Sequence, residues 1–293
     1  MPWWFTPYVI PEVISVAVAI WLIITLWRRR SAPGAVPFIL LLLGLVVWSL
    51  GYALELGSVG LPTVLFWDNG AWLGKLLMPP IWFVFALQYT GRGRWLTRRR
   101  VVFLAIVQFV NLLLIWTNGM HGLIYSSSRL DSSAPFSALV FTHNVGYWAI
   151  LVYNYLFLLL GTLLIGLFIR TLMRSAFLYR GQVGALLICV LAPWAANILF
   201  NFGLGPVPHF DLTASAFTIT ALAIAWSLFR FRMLDLVPVA HSAVIESMSD
   251  AMIVLDQHHR ITDLNPAAQR LFGHPLSELV GWATSGPGLL YLA

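Results

Sequence analysis

The chain has 293 residues, of which 60% are hydrophobic and only 10% are charged, and its net charge is +6. Soluble domains carry about 25% charged residues, so this composition predicts a membrane protein. All but one of the 17 basic residues are arginines. Most of these arginines stand in short clusters beside apolar segments, which is typical of membrane orientation signals and argues against a nucleic-acid surface.

Seven apolar segments follow one another along the chain, each near the length of about 20 residues that crosses a bilayer as a helix. We expect the third segment to be interrupted at Pro79 and Pro80, and the sixth to be kinked at Pro193. The longest polar connection, Asn118–Asn144, separates the fourth segment from the fifth. The helices are predicted at about Tyr8–Trp27, Val36–Leu56, Trp67–Tyr89, Val101–Thr117, Gly146–Ile169, Val183–Phe202 and Leu212–Phe229.

The arginines fall on one side of this arrangement. Thirteen of them lie after the first, third, fifth and seventh helices, whereas the N-terminal segment and the other three loops together hold only Arg129. Arginine-rich loops stay in the cytoplasm, so the N-terminus is predicted outside and the C-terminal tail inside. The predicted fold is an all-α seven-transmembrane helix bundle, N-out and C-in.

The chain changes character after the last apolar helix. A charged, helix-compatible join leads to two strand-like runs, Ala251–Leu255 and Arg260–Asp263, and a helix is predicted to start at Asn265. About 40 residues cannot bury a core unaided, so this tail is expected to be a truncated α/β domain. The predicted regions are a membrane domain at 1–232, a signalling join at 233–250 and the α/β segment at 251–293.

Several motifs resemble known sensor proteins. The tail AMIVLDQHHRITDLNPAAQRLFGHPLSELVG resembles the opening of a PAS domain in its VLD strand, its R-I-x-D-x-N-P-A-A step and its L-F-G followed by E-L-V-G. The membrane body resembles the seven-helix N-terminal sensor region of bacterial histidine kinases and some diguanylate cyclases. The matching stretches, in the family's order, are FALQYTGRGRWL (Phe85–Leu96), TNGMHGLIY (Thr117–Tyr125), YRGQ (Tyr179–Gln182), DLTASAF (Asp211–Phe217) and the join FRFRMLDLVPVAHSAVIESMSDAMIVLD.

This resemblance implies a sensory receptor module in the bacterial inner membrane, the input half of a histidine kinase or diguanylate cyclase. It would detect an extracytoplasmic or membrane-phase stimulus, such as a small-molecule or lipid ligand, and transmit it through helix 7 to the PAS segment. A homodimer is expected because PAS modules commonly dimerise. No kinase, cyclase or ATP-binding motif is found, so neither catalysis nor a cofactor is expected, and His241 is interpreted as an ordinary surface histidine.

The only lysine, Lys75, lies inside the third helix. A charge at membrane depth is costly and marks either a functional or a partnered position. Asp68 stands seven positions earlier on the same helix face, and Glu55 near the end of helix 2 is a second partner. Two interpretations stay open: an ion-paired lysine that holds helices 2 and 3 together, and recognition of an anionic ligand.

Other polar residues predict an outward-facing pocket. Asn197 and Asn201 share one face of helix 6 and either bridge helices or line a pocket. Histidines and Asp211 lie in the loops after helices 4 and 6, but their spacing matches no compact metal motif, so no metal is expected. The candidate ligand-binding residues are Glu55, Asp68, Lys75, Asn118, His121, His143, Tyr147, Asn197, Asn201 and Asp211.

Two rival functions need different sequence features. A small-molecule transporter or channel would show inverted repeats with broken helices that meet at mid-membrane, and no self-similarity between the halves is evident. An enzyme of the membrane phase would need clustered acid–base or metal-binding side chains, and no such motif occurs in the membrane body. The transporter or channel is the alternative to the receptor.

Overall fold

The structure, a computed structural model, divides the chain into two units, residues 1–234 and 235–293. The first unit buries an apolar core between long helices, and the second buries a small one under a short helix. The described residues are 4–28, 30–31, 34–131, 136, 138–174, 180–201, 204, 210–231, 248–255, 259–274 and 279.

Within the described residues, a helix is found at each of the seven predicted places. The fourth begins at Arg98 rather than Val101, because the Thr97 hydroxyl caps it by accepting a hydrogen bond from the backbone N–H of Arg100 at 3.4 Å. The helices of the first unit are α1 Ile10–Trp27, α2 Ala35–Gly57, α3 Leu61–Tyr89, α4 Arg98–Trp116, a short α5 Asn118–His121, α6 Val145–Arg174, α7 Arg180–Asn201 and α8 Thr213–Phe231.

The surface of these helices is apolar. In the described ranges, five helices, α1 to α4 and α6, are long and apolar enough to cross a membrane. Shorter apolar stretches occur in α7 at Val190–Phe200 and in α8 at Thr213–Ala223. On the outside of α4, Phe103 is 63% and Phe109 is 60% exposed. Large exposed apolar surfaces of this kind are typical of contact with lipid.

Helices α2 and α3 approach each other closely at two glycines. A Cβ atom on Gly74 would lie 2.4 Å from the carbonyl oxygen of Gly44 and 2.6 Å from the backbone nitrogen of Trp48. A Cβ atom on Gly51 would lie 2.9 Å from Ala71. Small residues at helix interfaces allow backbones to pack at such distances in membranes, so this pair forms the centre of the bundle.

The expected interruption of the third helix at Pro79 and Pro80 was wrong, because α3 continues through both prolines. A proline leaves the carbonyl four residues earlier without its helical partner. For Pro80 that carbonyl belongs to Leu76, and the Gln108 side chain of α4 donates to it from Nε2 at 2.8 Å. The same Nε2 donates to Oδ1 of Asn154 at 3.0 Å, so one buried amide links α3, α4 and α6.

The all-helical expectation for the membrane unit misses a β-hairpin in the long connection. Strand β1, Tyr125–Asp131, pairs antiparallel with β2, Ala138–His143. Asn118 fixes the start of the hairpin: its Oδ1 accepts from the backbone N–H of Ile124 at 2.8 Å, and its Nδ2 donates to the carbonyl of Tyr125 at 2.9 Å. Asn118 therefore orders the loop.

Phe136, in the connection between the two strands, packs over the bundle. The Phe136 ring lies 5.1 Å from that of Tyr8, just before α1, and 5.8 Å from that of Phe210, just before α8. We call this side of the bundle the hairpin end.

The second unit has the predicted order of strand, strand and helix. Strands β3, Ile253–Leu255, and β4, Ile261–Leu264, pair antiparallel, and α9, Pro266–Phe272, follows. The side chain of Asn265 caps α9 by accepting from the backbone N–H of Ala268 at 2.8 Å. Most of the predicted join at 233–250 lies outside the described residues.

Candidate functional site

A cavity of about 200 Å³ lies between α2, α3, α6, α7 and α8, in the half of the bundle next to the hairpin end. Four of the candidate residues line it, so the fold brings together side chains from positions far apart in the sequence. The lining consists of Trp48, Trp72, Lys75, Met78, Pro79, Tyr147, Ile150, Leu151, Asn154, Tyr155, Leu158, Pro193, Trp194, Asn197, Phe200, Asp211, Thr213 and Phe217.

Lys75 forms the predicted ion pair with Asp68. Its Nζ lies 3.2 Å from Oδ1 of Asp68, and the second oxygen of that carboxylate accepts from Nε1 of Trp72 at 3.2 Å. The ammonium also lies 5.4 Å from the ring centroid of Trp72 and 6.0 Å from that of Trp48. The pair lies within α3, so it does not itself join helices 2 and 3, and the ammonium stays at the cavity wall.

Glu55 lies behind this wall. It is 6% exposed, and its Oε2 has no hydrogen-bond partner among the described residues. Its carboxylate is close enough to interact electrostatically with both Lys75 and Asp68. Glu55 is therefore a buried acidic residue near the Lys75–Asp68 pair, although it is not part of the cavity lining.

Asp211 lies at the entrance to α8. Its Oδ1 accepts from the backbone N–H of Thr213 at 2.9 Å, which orders the first turn of the helix. Its own backbone N–H donates to the hydroxyl of Tyr52 on α2 at 2.9 Å. Asp211 therefore lines the cavity and also fixes the start of α8.

Asn197 bridges two helices and lines the cavity at once. The hydroxyl of Tyr155 on α6 donates to its Oδ1 on α7. One turn away from this contact, Nε1 of Trp194 donates to the hydroxyl of Thr162 at 3.3 Å. The predicted bridging and pocket-lining roles of Asn197 are thus compatible, while the side chain of Asn201 lies outside the described residues.

Asn118, His121 and His143, predicted to line an outward-facing pocket, are not in the lining of this cavity, and each makes contacts at the hairpin. His121 is exposed, and its Nδ1 accepts from the backbone N–H of Leu123 at 3.0 Å. His143 stacks on Tyr147 with ring centroids 3.7 Å apart, and burial lowers the pKa of His143. His143 therefore reaches the cavity only through Tyr147.

A second, smaller cavity of about 50 Å³ lies deeper in the bundle, away from the hairpin end. Its wall is almost entirely apolar. It shares five wall residues with the larger cavity, Met78, Leu158, Pro193, Trp194 and Phe217, and is otherwise lined by Phe38, Leu41, Leu42, Leu45, Trp82, Thr162, Val190, Thr220 and Ala221.

Most of the chain matches two known protein families. Residues 12–238 match the N-terminal 7TM region of histidine kinase. The chain belongs to this family. Residues 241–291 match a PAS domain, so the sensor region leads directly into a second signalling module. Comparison with curated proteins gives no match. The histidine-kinase 7TM region, its apolar helices and the PAS domain identify a multi-pass membrane protein that acts as a sensory module.

Sequence reasoning missed several polar residues of this 7TM region. Glu12, in the first turn of α1, is completely buried, and its Oε1 accepts from the hydroxyl of Ser215 on α8 at 3.0 Å. Thr213 and Trp48 line the cavity. A carboxylate in the first turn of a spanning helix was a signal for Glu12, but nothing in the sequence distinguished Trp48 from the other tryptophans.

Proposed function

We propose that this chain is the input half of a membrane signalling protein of the bacterial inner membrane, a histidine kinase or a diguanylate cyclase. In this proposal a seven-helix bundle at 1–232, N-out and C-in, binds an extracytoplasmic or membrane-phase ligand in the cavity. A join at 233–250 and a PAS segment at 251–293 then carry the signal to the output, and the protein acts as a homodimer. The chain itself performs no catalysis.

The continuity of α8 is the observation that carries this proposal. Asp211, Thr213 and Phe217 line the cavity near the start of the helix, and the helix continues without a break to Phe231, just before the join. A ligand that contacts one end of a rigid helix shifts the balance between two helix arrangements in proportion to its preference for one of them. Helix α8 thereby links the cavity to the cytoplasmic segment.

The charge of the loops supports the proposed orientation. The long connection with the hairpin contains one arginine, Arg129, whereas the turn before α4 and the start of α4 contain five between Arg92 and Arg100. The positive-inside rule then places the hairpin end, and the larger cavity next to it, on the outer side of the membrane. A ligand outside the cell or in the outer leaflet has the shorter path to this cavity.

Filling the cavity by mutation tests the transmission step without knowledge of the ligand. Leu151→Trp adds bulk inside the cavity, and the matched control Leu156→Trp adds the same bulk on the exposed face of α6. Amide hydrogen exchange is measured in the PAS segment, over Ile253–Phe272, with the protein in lipid nanodiscs. We expect Leu151→Trp to change the exchange rates there, and Leu156→Trp to leave them as in the wild type.

Two results would contradict the receptor function. Equal exchange rates in both variants and the wild type would show that a change in the cavity does not affect the PAS segment. Flux of a small solute through liposomes that contain the purified chain, absent from empty liposomes, would favour the transporter or channel instead.

A further inference from the structure

Glu12, in the first turn of α1, carries a carboxyl group that the cavity does not explain. It is 0% exposed and does not belong to the lining of the larger cavity. An ionisable side chain inside a membrane bundle is expensive to bury, and it marks a functional position whose partner has to be identified. Here the partner is Ser215, in the first turn of α8, the helix that leads to the join.

The hydrogen bonds of Glu12 suit a neutral carboxylic acid. Its Oε1 accepts from the hydroxyl of Ser215 at 3.0 Å, whereas its Oε2 has no hydrogen-bond partner among the described residues. Ser49, on α2, brings a second hydroxyl towards this carboxyl, and that hydroxyl also forms no hydrogen bond within the described part of the chain. The next hydroxyl along α1, that of Ser15, donates to the carbonyl of Pro11 at 2.8 Å.

An ionised carboxylate can only accept hydrogen bonds, and its two oxygens have about four lone-pair sites. Burying that charge with a single neutral donor is costly, and the group takes up a proton instead. A protonated Glu12 carries its own O–H donor, for which the oxygen of Ser49 is the neighbouring acceptor. The packed arrangement of α1, α2 and α8 therefore holds Glu12 with a proton bound.

More distant charges do not take the place of this proton. Lys75, on α3, acts on the carboxyl electrostatically, but its ammonium forms its ion pair with Asp68 at 3.2 Å. Asp211, just before α8, acts on Glu12 with the opposite sign, and Tyr52 on α2 is a further titratable side chain that interacts with it. Among the described residues, no basic side chain lies at ion-pair distance from Glu12.

Loss of the proton changes what the contact between α1 and α8 requires. The ionised carboxylate needs water, and the packed contact leaves Glu12 no exposed surface. Ionisation therefore favours an arrangement in which α8 has moved away from α1 and water reaches the carboxylate. A hydrated glutamate is ionised above about pH 4.3. The packed arrangement keeps its proton above that pH, so a rise in pH shifts the balance towards the hydrated arrangement.

We propose that Glu12 is a proton-binding site of the 7TM region, which holds α8 against α1 while the proton is bound and frees α8 when the proton passes to water. The ligand of this site is the proton itself, and the site is separate from the larger cavity. Access from the outer side of the membrane and transmission to the PAS segment rest on the function proposed above, whereas the proton site does not.

Distances between spin labels measure the contact of α1 with α8. In the Cys189→Ser background, Ile24→Cys and Ile219→Cys place one label on the exposed face of each helix. The full chain in nanodiscs is equilibrated at about pH 5 and at about pH 8, where a hydrated glutamate is ionised in both cases. We expect the distribution of distances between the labels to shift at the higher pH.

Two substitutions of Glu12 and a matched control assign the shift to one residue. Glu12→Gln and Glu12→Met keep nearly the same size and cannot ionise, so we expect the shift with pH to be lost in both. The control is Glu55→Gln, because Glu55 is also a buried carboxyl with an unpaired Oε2 among the described residues, but no described hydrogen bond joins its side chain to α8. This variant is expected to keep the shift of the wild type.

Amide hydrogen exchange tests whether the site is coupled to the PAS segment. Exchange over Ile253–Phe272 is compared between the wild type and Glu12→Gln at the same, higher pH, so that the intrinsic exchange chemistry is equal. We expect the two proteins to differ, because Glu12→Gln retains the packed arrangement of α1 and α8 at a pH where the wild type leaves it.

The contrary outcomes separate the proton site from the receptor function. A wild-type distance that does not change with pH overturns the proton site, and the effect of Leu151→Trp then judges the receptor function by itself. A shift that persists in both Glu12 variants also overturns the site and assigns the response to other groups, such as histidines, which titrate in the same range. Loss of the shift in Glu55→Gln overturns its assignment to Glu12. A shift that only the Glu12 variants lose, with equal exchange in the PAS segment, supports the proton site and contradicts transmission through α8.

Discussion

At the scale of single residues, the ion pair of Lys75 and Asp68 keeps charge inside an apolar bundle. Removing an ion from water is expensive, and an opposite charge at hydrogen-bond distance offsets that cost only when both partners are present. Asp68 is 8% exposed and Lys75 is 21% exposed, so the carboxylate depends more on its partner than the ammonium does. Trp72 supplies the carboxylate with one further donor.

A double-mutant cycle measures this dependence. Lys75→Met leaves Asp68 buried near Glu55 without a counter-charge, and we expect it to destabilise the fold by about 2–3 kcal/mol, somewhat below the range for a fully buried pair. Asp68→Asn is expected to cost less, and the double variant to be more stable than the sum of the single effects predicts by about 1–2 kcal/mol. The measurement is thermal unfolding of the purified protein in nanodiscs.

Additive effects of the two substitutions would show that the side chains act independently, and would contradict the pair as a source of stability. Gln269→Met, on α9 of the PAS segment, serves as a control in the same assay, because this amide is remote in sequence from the pair and donates to the carbonyl of Leu264 at 3.2 Å.

The sequence predicted this ion pair and could not have predicted the surroundings of Trp48 and Thr213. A spacing of seven residues brings Lys75 and Asp68 onto one helix face whatever the tertiary structure is. Whether Trp48 or Thr213 finds a partner depends on how α2, α3 and α8 pack, and a single sequence does not state this. The same limit explains why Asn118 was assigned to a pocket: its partners are backbone groups of a hairpin that the sequence reasoning did not foresee.

At the scale of elements, the close contact of α2 with α3 offers a stringent test of the fold. Gly74 faces the backbone of Gly44 and Trp48 with no room for a side chain, whereas Gly70, one turn earlier on α3, has open space around its Cα. The two glycines share a helix and differ in their surroundings, so they form a matched pair.

We expect Gly74→Ala to destabilise the protein by about 1–3 kcal/mol, since the added methyl group must push the two helices apart. Gly70→Ala is expected to leave stability unchanged or raise it by up to about 1 kcal/mol, because alanine favours the helix. Thermal unfolding in nanodiscs compares the two variants with the wild type. Equal effects at both positions would contradict the close approach of α2 and α3.

Long helices were predictable from hydropathy, whereas the hairpin and the particular residue that satisfies the carbonyl freed by proline were not. The stretch YSSSRLD of β1 has little apolar alternation, although the run Leu139–Thr142 of β2 carried the β-branched and aromatic signal of a strand. Pro79 and Pro80 do not break α3, because Gln108 on another helix satisfies the freed carbonyl of Leu76. Both outcomes depend on contacts between distant segments.

At the scale of the whole molecule, the proposed orientation is testable by labelling. In a background where the single cysteine is removed by Cys189→Ser, Ser126→Cys adds a thiol to the hairpin and Ser31→Cys adds one to the arginine-rich turn after α1. Both serines are exposed. We expect a membrane-impermeant maleimide to label the cysteine at 126 in intact cells, and the cysteine at 31 only after the membrane is opened.

Labelling of the cysteine at 31 in intact cells, or protection of the cysteine at 126, would show that the orientation is the reverse of the proposed one. The cavity would then face the cytoplasm, and an extracytoplasmic stimulus would no longer have direct access to it.

The central claim is that the cavity of the 7TM region holds a ligand, and native mass spectrometry of protein released from nanodiscs tests it most directly. The account predicts that wild-type protein carries the mass of a bound small molecule. It also predicts that this mass is lost in Asn197→Ala, which alters the cavity wall, and kept in the matched variant Asn111→Ala on α4, which is not in the wall. A wild-type protein without added mass, or an added mass that persists in Asn197→Ala, would contradict the account.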